Sequence, residues 1–229
     1  MSYIELDEVD STNDYVKVNL DKMTNLSVVR ANYQINGRGR NGHDWQSRKG
    51  DDLLMSILVK DFKKPQDLHK MTQIVACSVV GLLDRYGIKA KIKWPNDIYV
   101  DDLKICGILV EAVYQPDLKG VIVGVGLNVN SVNGDYASMK MKTGQTYQIK
   151  SMMIAMLTYF KIYYNLYQQA SYDKILDYAN DIAYLKDKQV DFQDYGLVTF
   201  TKLDEDGMVE FVDMNHQKHK ILVNEITLH

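Results

Sequence analysis

The sequence contains few cysteines and prolines, with two and three of them respectively among 229 residues. Cys77 and Cys106 both stand in apolar runs, and no CxxC pair is present. Neither a disulfide framework nor a structural zinc site is therefore expected, and we expect both thiols to be reduced and buried. The same low proline content, together with 14 glycines, excludes collagen-like and low-complexity chains.

The chain also lacks an excess of positive charge and a long apolar run. Its 27 Lys and Arg residues against 30 Asp and Glu residues give a net charge of −3, whereas a nucleic-acid-binding domain usually carries a clear basic excess. The acidic N-terminus does not resemble a signal peptide, and no window reaches the roughly 18 uncharged apolar residues of a membrane span. These features predict a soluble cytoplasmic protein that binds neither DNA nor a membrane. They leave its chemistry open.

The hydrophobic pattern predicts a mixture of helices and strands. Its strongest helical period follows Pro65 and ends at Gly87, which fits a C-cap. Asp10 and Ser11 offer caps for a short helix over 12–19, and two further helices are predicted from 151 to 167 and from 172 to 184. Strands are predicted over 26–33, 52–59, 90–94, 98–100, 104–114 and 121–127.

The pattern changes beyond Leu185 to short β-like segments at 189–192, 197–202, 208–212 and 218–223. Asp206-Gly207 is a hairpin signal between two of them. We therefore divide the chain into a larger domain, 1–185, and a small C-terminal β domain, 186–229.

The segment 34–50 is rich in glycine and arginine and almost free of apolar residues, so we predict a long surface loop. Glycines let backbone N–H groups approach a ligand, and Arg38 and Arg40 can pair with an anion. A long loop inside a compact domain is usually functional. Anion binding is one interpretation, and a solvated basic loop without a ligand is the other.

Two further segments carry polar residues within apolar surroundings. In Lys93-Trp94-Pro95-Asn96-Asp97, the Asp97 carboxylate can hold a metal or a ribose hydroxyl. Lys104 opens an apolar strand and can neutralise a developing negative charge, or it can protect a sheet edge. Gly124 and Gly126 indicate close approach by a ligand or by another part of the chain.

Together these segments resemble the biotin–protein ligase family. The resemblance is carried, in the family's order, by Asp10-Ser11-Thr12-Asn13, Gln34 to Trp45, Lys93 to Asp97, Lys104 to Glu111 and Gly124 to Asn130. It implies an α+β fold related to class II aminoacyl-tRNA synthetases, in which a mixed β-sheet carries helices on one face and a small β-barrel-like domain follows. It also implies the catalytic domain without the N-terminal DNA-binding domain of the repressor-type relatives, and hence a monofunctional ligase.

The resemblance implies that ATP and biotin, with Mg²⁺, give biotinyl-5′-AMP, and that biotin then passes to a lysine of a biotin carboxyl carrier protein. It assigns catalysis to Lys104 and Arg40 and leaves Asp97 as the only metal candidate. The implied biotin-binding residues are Ser11, Thr12, Asn13, Gln34, Gly37, Arg38, Arg40, Lys104 and Gly107. The implied ATP or adenylate contacts are Arg38, Arg40, Trp45, Asn96, Lys104 and Asn128.

Three positions depart from the family pattern: Ile35 replaces a frequent Thr, His43 a basic residue and Asp52 a frequent Asn. Two alternatives to the ligase stay open. A lipoate–protein ligase or octanoyltransferase shares the fold, but a dithiolane ring offers nothing for Ser11, Thr12 and Gln34 to hydrogen-bond. A non-catalytic biotin sensor would bind without activating its ligand. A homodimer is possible, although no residue specifies it.

Overall fold

The computed structural model describes residues 2–62, 64–132 and 134–222. Its larger domain is built on a seven-stranded sheet with the strand order β1-β2-β3-β7-β6-β5-β4, in which only β1 and β2 are parallel. The strands are β1 (Tyr3–Val9), β2 (Ser27–Gln34), β3 (Leu53–Val59), β4 (Lys91–Lys93), β5 (Asp97–Val100), β6 (Leu103–Gln115) and β7 (Asp117–Leu127). The mixed sheet confirms the predicted fold class.

Helices α2 (Leu68–Arg85) and α4 (Ile149–Gln168) cover one face of this sheet, and α5 (Tyr172–Asp181) packs against both of them. Alternate strand residues point to opposite faces, and Met55 and Ile57 on β3 belong to the core beneath these helices. Strand β3 is buried on both faces, which explains its continuous apolar run. The short α3 (Met139–Thr143) lies between β7 and α4.

The short helix α1 (Thr12–Asn19) packs on the other face of the sheet. Ser11 caps it, as predicted, because its Oγ accepts a hydrogen bond from the backbone N–H of Asp14 at 3.5 Å. Val16 of α1 contributes to a second apolar cluster with Leu58 and Ile122. Since α1 covers only part of this face, the remainder is left open for the site described below.

The C-terminal region forms a separate four-stranded antiparallel sheet with the order β11-β10-β9-β8. Its strands are β8 (Gln189–Asp191), β9 (Leu197–Leu203), β10 (Met208–Asp213) and β11 (Lys218–Leu222). They match the predicted segments, and Gly207 takes the positive φ of +79° that the predicted hairpin requires. Val223, the predicted end of the last strand, lies outside the described residues.

The C-terminal sheet is joined to the larger domain by specific polar contacts. The Asn180 amide of α5 forms two hydrogen bonds with the backbone of Leu203, of 2.8 and 2.9 Å. The His69 Nε2 atom of α2 lies 2.8 Å from the carbonyl oxygen of Glu205. Phe192, Phe200 and Phe211 extend the same apolar core into this sheet.

The expectation about the two cysteines is confirmed. Cys77 and Cys106 are buried and free of disulfides, and burial raises the pKa of both thiols. Asp52 is buried just before β3 and accepts a hydrogen bond from the Val129 N–H at 2.9 Å. Its burial raises the carboxyl pKa, although this and other hydrogen bonds oppose the rise.

In the described part of the chain, no helix has the length and apolar composition of a bilayer span.

Candidate active site

A cavity of about 300 Å³ opens on the sheet face that α1 leaves uncovered. One row of directly paired strand residues crosses its floor: Lys93, Asp97, Gly107 and Gly126 on β4, β5, β6 and β7. Directly paired residues project on the same face. Because two members of this row are glycines, the centre of the floor carries no side chains of its own, and another group can lie against its backbone.

Trp45 lies over this glycine floor. A Cβ atom added to Gly107 would come within 2.8 Å of the Trp45 ring, and one added to Gly126 would overlap the indole. The Trp45 Nε1–H group is buried and has no hydrogen-bond partner among the described residues. Gly124, two residues before Gly126, likewise makes room for the Asn13 side chain. The sequence predicted a close approach at Gly124 and Gly126. The groups that approach them are the Asn13 side chain of α1 and the Trp45 side chain of the Gly/Arg segment.

A connected set of polar side chains forms one wall of the cavity. The Gln34 Oε1 atom accepts hydrogen bonds from both the backbone N–H and the hydroxyl of Thr12, at 2.8 and 2.9 Å. Behind them lies the buried Ser56, whose Oγ is 2.7 Å from Thr12 Oγ1 and 2.6 Å from Asn13 Oδ1. Asn13 Nδ2 in turn donates to Glu111 Oε2 at 2.7 Å.

The oxygen atoms of this wall make more close contacts with one another than the wall has hydroxyl protons to place between them. Thr12 and Ser56 contribute one hydroxyl proton each, whereas three close oxygen–oxygen contacts join Gln34, Thr12, Ser56 and Asn13. The two amide oxygens only accept, and the orientation of Asn13 is fixed by its donation to Glu111. The wall is therefore rich in acceptor oxygens, which suits a ligand that donates N–H groups.

Arg38 closes the wall at the cavity mouth. Its guanidinium lies 2.7 Å from Asp14 Oδ1 and 2.9 Å from Glu111 Oε2. The side chain retains 40% of its exposure. Arg38 is thus already neutralised by two carboxylates, and it holds the loop against α1 and β6.

Lys104 and Arg40 converge on Asp97 beside the glycine floor. The Lys104 Nζ lies 2.8 Å from Asp97 Oδ1, but the contact does not have the angles of a hydrogen bond, so it is an ion pair. Burial lowers the pKa of Arg40, and the negative charge of Asp97 partly offsets this. The Lys104 ammonium also lies 5.5 Å from the centre of the Trp45 ring. The two cations thus interact with the one carboxylate of Asp97.

The glycine- and arginine-rich segment is more ordered than the predicted loop. Arg38 and Asp44 pair as an antiparallel bridge. Two further backbone bonds close the hairpin, from Gly39 N–H to His43 O at 2.6 Å and from Trp45 N–H to Gly37 O at 2.8 Å. The segment cannot bury apolar side chains, but it satisfies its backbone polar groups within itself, which composition alone did not reveal.

The structure brings most of the predicted site residues to the cavity. Those that line it are Ser11, Thr12, Asn13, Gln34, Arg38, Arg40, Trp45, Asn96, Asp97, Lys104 and Gly107. Gly37 and Asn128 do not line it. Gly37 closes the hairpin, and the buried Asn128 amide donates to the Ala137 carbonyl at 3.1 Å, which ties down the chain after β7. Asn128 was predicted as an ATP or adenylate contact because its segment resembles the family. Its amide instead forms a hydrogen bond with the local backbone.

Four site residues were not singled out by sequence reasoning: Asp14, Ser56, Lys93 and Glu111. Ser56 lies in an apolar strand, and only its register opposite Gly124 shows that it faces the site. Glu111 ends the segment that begins at Lys104, but its pairing with Arg38 joins residues far apart in sequence. Contacts between elements far apart in the sequence bring these residues together, and the sequence alone did not show those contacts.

Comparison with known proteins now defines the family. The biotin/lipoate A/B protein ligase family matches residues 5–128, more than half of the chain. The chain belongs to this family. The match spans the polar wall, the Gly/Arg hairpin, the Asp97–Lys104 pair and the glycine floor. The family name covers both biotin and lipoate ligases, so the ligand must be argued from the site.

Two curated relatives of this ligase family match about half of this chain. The bifunctional ligase/repressor BirA of Bacillus subtilis (strain 168) is 37% identical over 112 residues, which are 48% of this chain and 34% of the relative. Biotin–protein ligase 1, chloroplastic, of Arabidopsis thaliana is 35% identical over 130 residues, or 54% of this chain and 35% of the relative. The chain thus matches about a third of the length of these relatives.

A solved structure of the same family extends the similarity to the whole chain. The biotin protein ligase from Aquifex aeolicus in complex with biotin and ATP has a TM-score of 0.85 and 24% identity. The match covers 100% of this chain and 98% of that chain. At this identity it establishes a shared fold, including the C-terminal sheet.

Proposed function

We propose that this chain is a biotin–protein ligase. It would join biotin to ATP, release pyrophosphate, and pass biotin from biotinyl-5′-AMP to a lysine of a biotin carboxyl carrier domain. The observation that carries the proposal is the adjacency of the acceptor-rich wall, the glycine floor and the Lys104–Arg40 cations in one cavity. The first two features suit a cyclic urea, and the third suits the meeting of two anions.

The polar wall favours biotin over a lipoyl or octanoyl group. A ureido ring presents two N–H donors and one carbonyl acceptor, which suits a wall whose oxygens outnumber its hydroxyl protons. A dithiolane or an alkyl chain offers no N–H group to these oxygens and would gain no hydrogen bond from the wall, whereas each hydrogen bond to a ureido N–H contributes about 0.5–1.5 kcal/mol. The wall therefore discriminates by the hydrogen bonds it needs.

The two cations favour adenylation of the bound carboxylate. A carboxylate oxygen of biotin attacks the α-phosphorus of ATP, a new P–O bond forms, and the bond to the leaving pyrophosphate breaks. Lys104 and Arg40 lie where they can offset the repulsion between these anions and stabilise the developing charge. The Asp97 carboxylate interacts with both cations. We infer that the substrates displace this ion pair.

The second step needs no nucleophile from this chain. The neutral ε-amine of the acceptor lysine attacks the acyl carbon of biotinyl-5′-AMP, AMP leaves, and the amine loses a proton. Trp45 over the glycine floor and the Gly/Arg hairpin exclude water from the mixed anhydride. Ser11, although a serine in the cavity, caps α1 and is assigned to hydrogen bonding.

The described residues are compatible with Mg²⁺ only as a companion of the nucleotide. Among residues 2–62, 64–132 and 134–222, no cluster of three or more His, Cys, Asp or Glu side chains could hold a metal ion. Mg²⁺ is commonly bound by one or two carboxylates together with substrate phosphates. Asp97 is the carboxylate on the cavity floor that could serve in this way once Lys104 turns to the substrate.

The proposal is tested by biotin-dependent exchange of labelled pyrophosphate into ATP. We expect exchange with biotin and background exchange with lipoate, octanoate or no acid. Exchange with lipoate or octanoate alone would assign the chain to the other branch of the family. Binding of biotin in a calorimeter without any exchange would identify a biotin sensor instead.

A further inference from the structure

A second cavity lies on the helical side of the sheet, away from the face that carries the candidate active site. It has a volume of about 930 Å³ and is enclosed by the segment before α2, the end of α4, one side of α5 and the turn between β9 and β10. It shares no lining residue with the first cavity. A ligand held here would occupy neither the biotin nor the ATP site, so its binding can be tested independently of the proposed ligase chemistry.

Three tyrosines line this second cavity and give it an aromatic wall. The Tyr167 ring stacks on Tyr164, with 6.1 Å between the ring centres, and meets Tyr172 edge-on at 6.5 Å. The hydroxyl of Tyr164 donates to Asp61 at 2.7 Å, and that of Tyr167 donates to Asp67 at 3.3 Å. Tyrosine rings attract cations to their faces, and a cation beside these rings would also meet carboxylates.

Tyr172 has an unpaired hydroxyl in the same wall. The residue is only 8% exposed, and its hydroxyl has no hydrogen-bond partner among the residues that the structure describes. Burial raises its pKa, and the neighbouring Cys77, Asp67 and Asp204 raise it further. Because Asp67 and Asp204 line the cavity, the hydroxyl lies within the electrostatic field of the cavity carboxylates. A buried hydroxyl without a partner is costly, and the ammonium group of a ligand would supply the missing donor.

The charge around the cavity is predominantly negative. Three lysines are outnumbered by six acidic residues, which are Asp61, Asp67, Asp173, Asp177, Asp204 and Glu205. Asp173 and Asp177 are exposed one helical turn apart on α5, a spacing at which like charges repel. In the described part of the chain, neither has a cation at ion-pair distance. The Lys70 ammonium is paired with Asp67 at 3.2 Å and lies 5.1 Å from the centre of the Tyr172 ring. The cavity thus already holds one ammonium group between a carboxylate and a tyrosine ring, and it has carboxylates left for others.

We propose that this cavity binds a linear polyamine, with its ammonium groups on the carboxylates and its methylene segments against the tyrosine rings. The carboxylates come from separate elements and are spread around the aromatic wall. Over residues 2–62, 64–132 and 134–222, no cluster of three or more of them could hold a metal ion. Separated positive charges joined by apolar segments therefore fit this cavity better than a compact divalent ion does. The bound polyamine would bridge α5 and the β9–β10 turn, and so fasten the C-terminal sheet to the larger domain.

The test is calorimetric titration of the purified chain with spermidine at constant ionic strength. We expect saturable binding to a single site. Asp173→Asn combined with Asp177→Asn should raise the Kd for spermidine at least about tenfold, because two of the unpaired carboxylates are lost. Tyr172→Phe, which removes only the hydroxyl, should raise it about 2–10-fold. Spermidine should also raise the Tm of the wild-type chain, since a ligand of the folded state stabilises that state.

The matched control combines Asp191→Asn with Asp194→Asn. It removes the same charge from two exposed residues that do not line the cavity, and the Kd for spermidine should stay within about twofold. Magnesium chloride at the same ionic strength should not displace spermidine. Melting curves without ligand confirm that each variant is folded.

Three results would overturn the inference. Absence of saturable spermidine binding to the folded wild-type chain would show that the cavity takes no polyamine. Equal weakening in the two double variants would show diffuse attraction to an acidic surface, which depends on net charge alone. Displacement of spermidine by magnesium would show a general cation site. Biotin-dependent exchange enters none of these measurements, so failure of the proposed function would leave this inference to be decided by them.

Discussion

Replacing Lys104 with alanine separates its chemical role from its structural one. Its ion pair with Asp97 is partly exposed, with 26% and 23% of the two side chains accessible. Such a pair contributes at most about 1 kcal/mol to the free energy of unfolding. For a protein of this size, that loss lowers the Tm by about 2–4 °C. Removal of one charge-stabilising group from a reacting centre, in contrast, typically slows the reaction about 10²–10³-fold, or about 2.7–4 kcal/mol.

The chain supplies a control for this experiment. Lys142 lies 2.8 Å from Asp101, the same separation as in the Lys104 pair, and its side chain is similarly exposed at 24%, although its partner Asp101 is 77% exposed. We expect Lys104→Ala and Lys142→Ala to lower the Tm by similar amounts, while only Lys104→Ala slows biotin-dependent pyrophosphate exchange. Undiminished exchange in Lys104→Ala, or an equal loss in both variants, would refute the role given to Lys104.

Two other variants test the ligand-binding surfaces. Arg40→Ala should weaken binding of biotinyl-5′-AMP by about 10–100-fold and that of biotin much less, since Arg40 is assigned to the phosphate; equal losses in calorimetry would contradict a phosphate contact. Gly126→Ala places a methyl group where the Trp45 indole lies, so biotin and adenylate should each bind at least about tenfold more weakly, or 1.4 kcal/mol. Its control is Gly134→Ala, where nothing lies within 4 Å of the added atom; similar affinities of the two variants would contradict the glycine floor.

Local signals in the sequence were sufficient for most of the secondary structure. Ser11 and its neighbours predicted α1, and Asp206-Gly207 predicted the hairpin of the C-terminal sheet, because caps and tight turns depend on adjacent residues. Strand β1 was not predicted. Its residues Tyr3–Val9 are mostly acidic or exposed, as in many edge strands that keep one free side.

Only part of the site could be predicted from the sequence, because pairing between distant strands brings many of its residues together. The Gly/Arg segment was expected as an open loop, yet the Arg38–Asp44 bridge folds it into a hairpin. Lys93 and Asp97 share a turn in sequence, but only the register of β4, β5 and β6 aligns both with Gly107. Asn128 is a predicted site residue that does not line the cavity, because its side-chain amide donates a hydrogen bond to the backbone of Ala137.

The central claim is that this cavity activates the carboxylate of biotin with ATP. The most direct measurement incubates the purified chain with biotin, magnesium and ATP labelled at the α-phosphate, and follows the products by chromatography. We expect labelled biotinyl-5′-AMP, formed together with pyrophosphate before any acceptor protein is added. Absence of this adenylate from a folded chain that binds both substrates would contradict it.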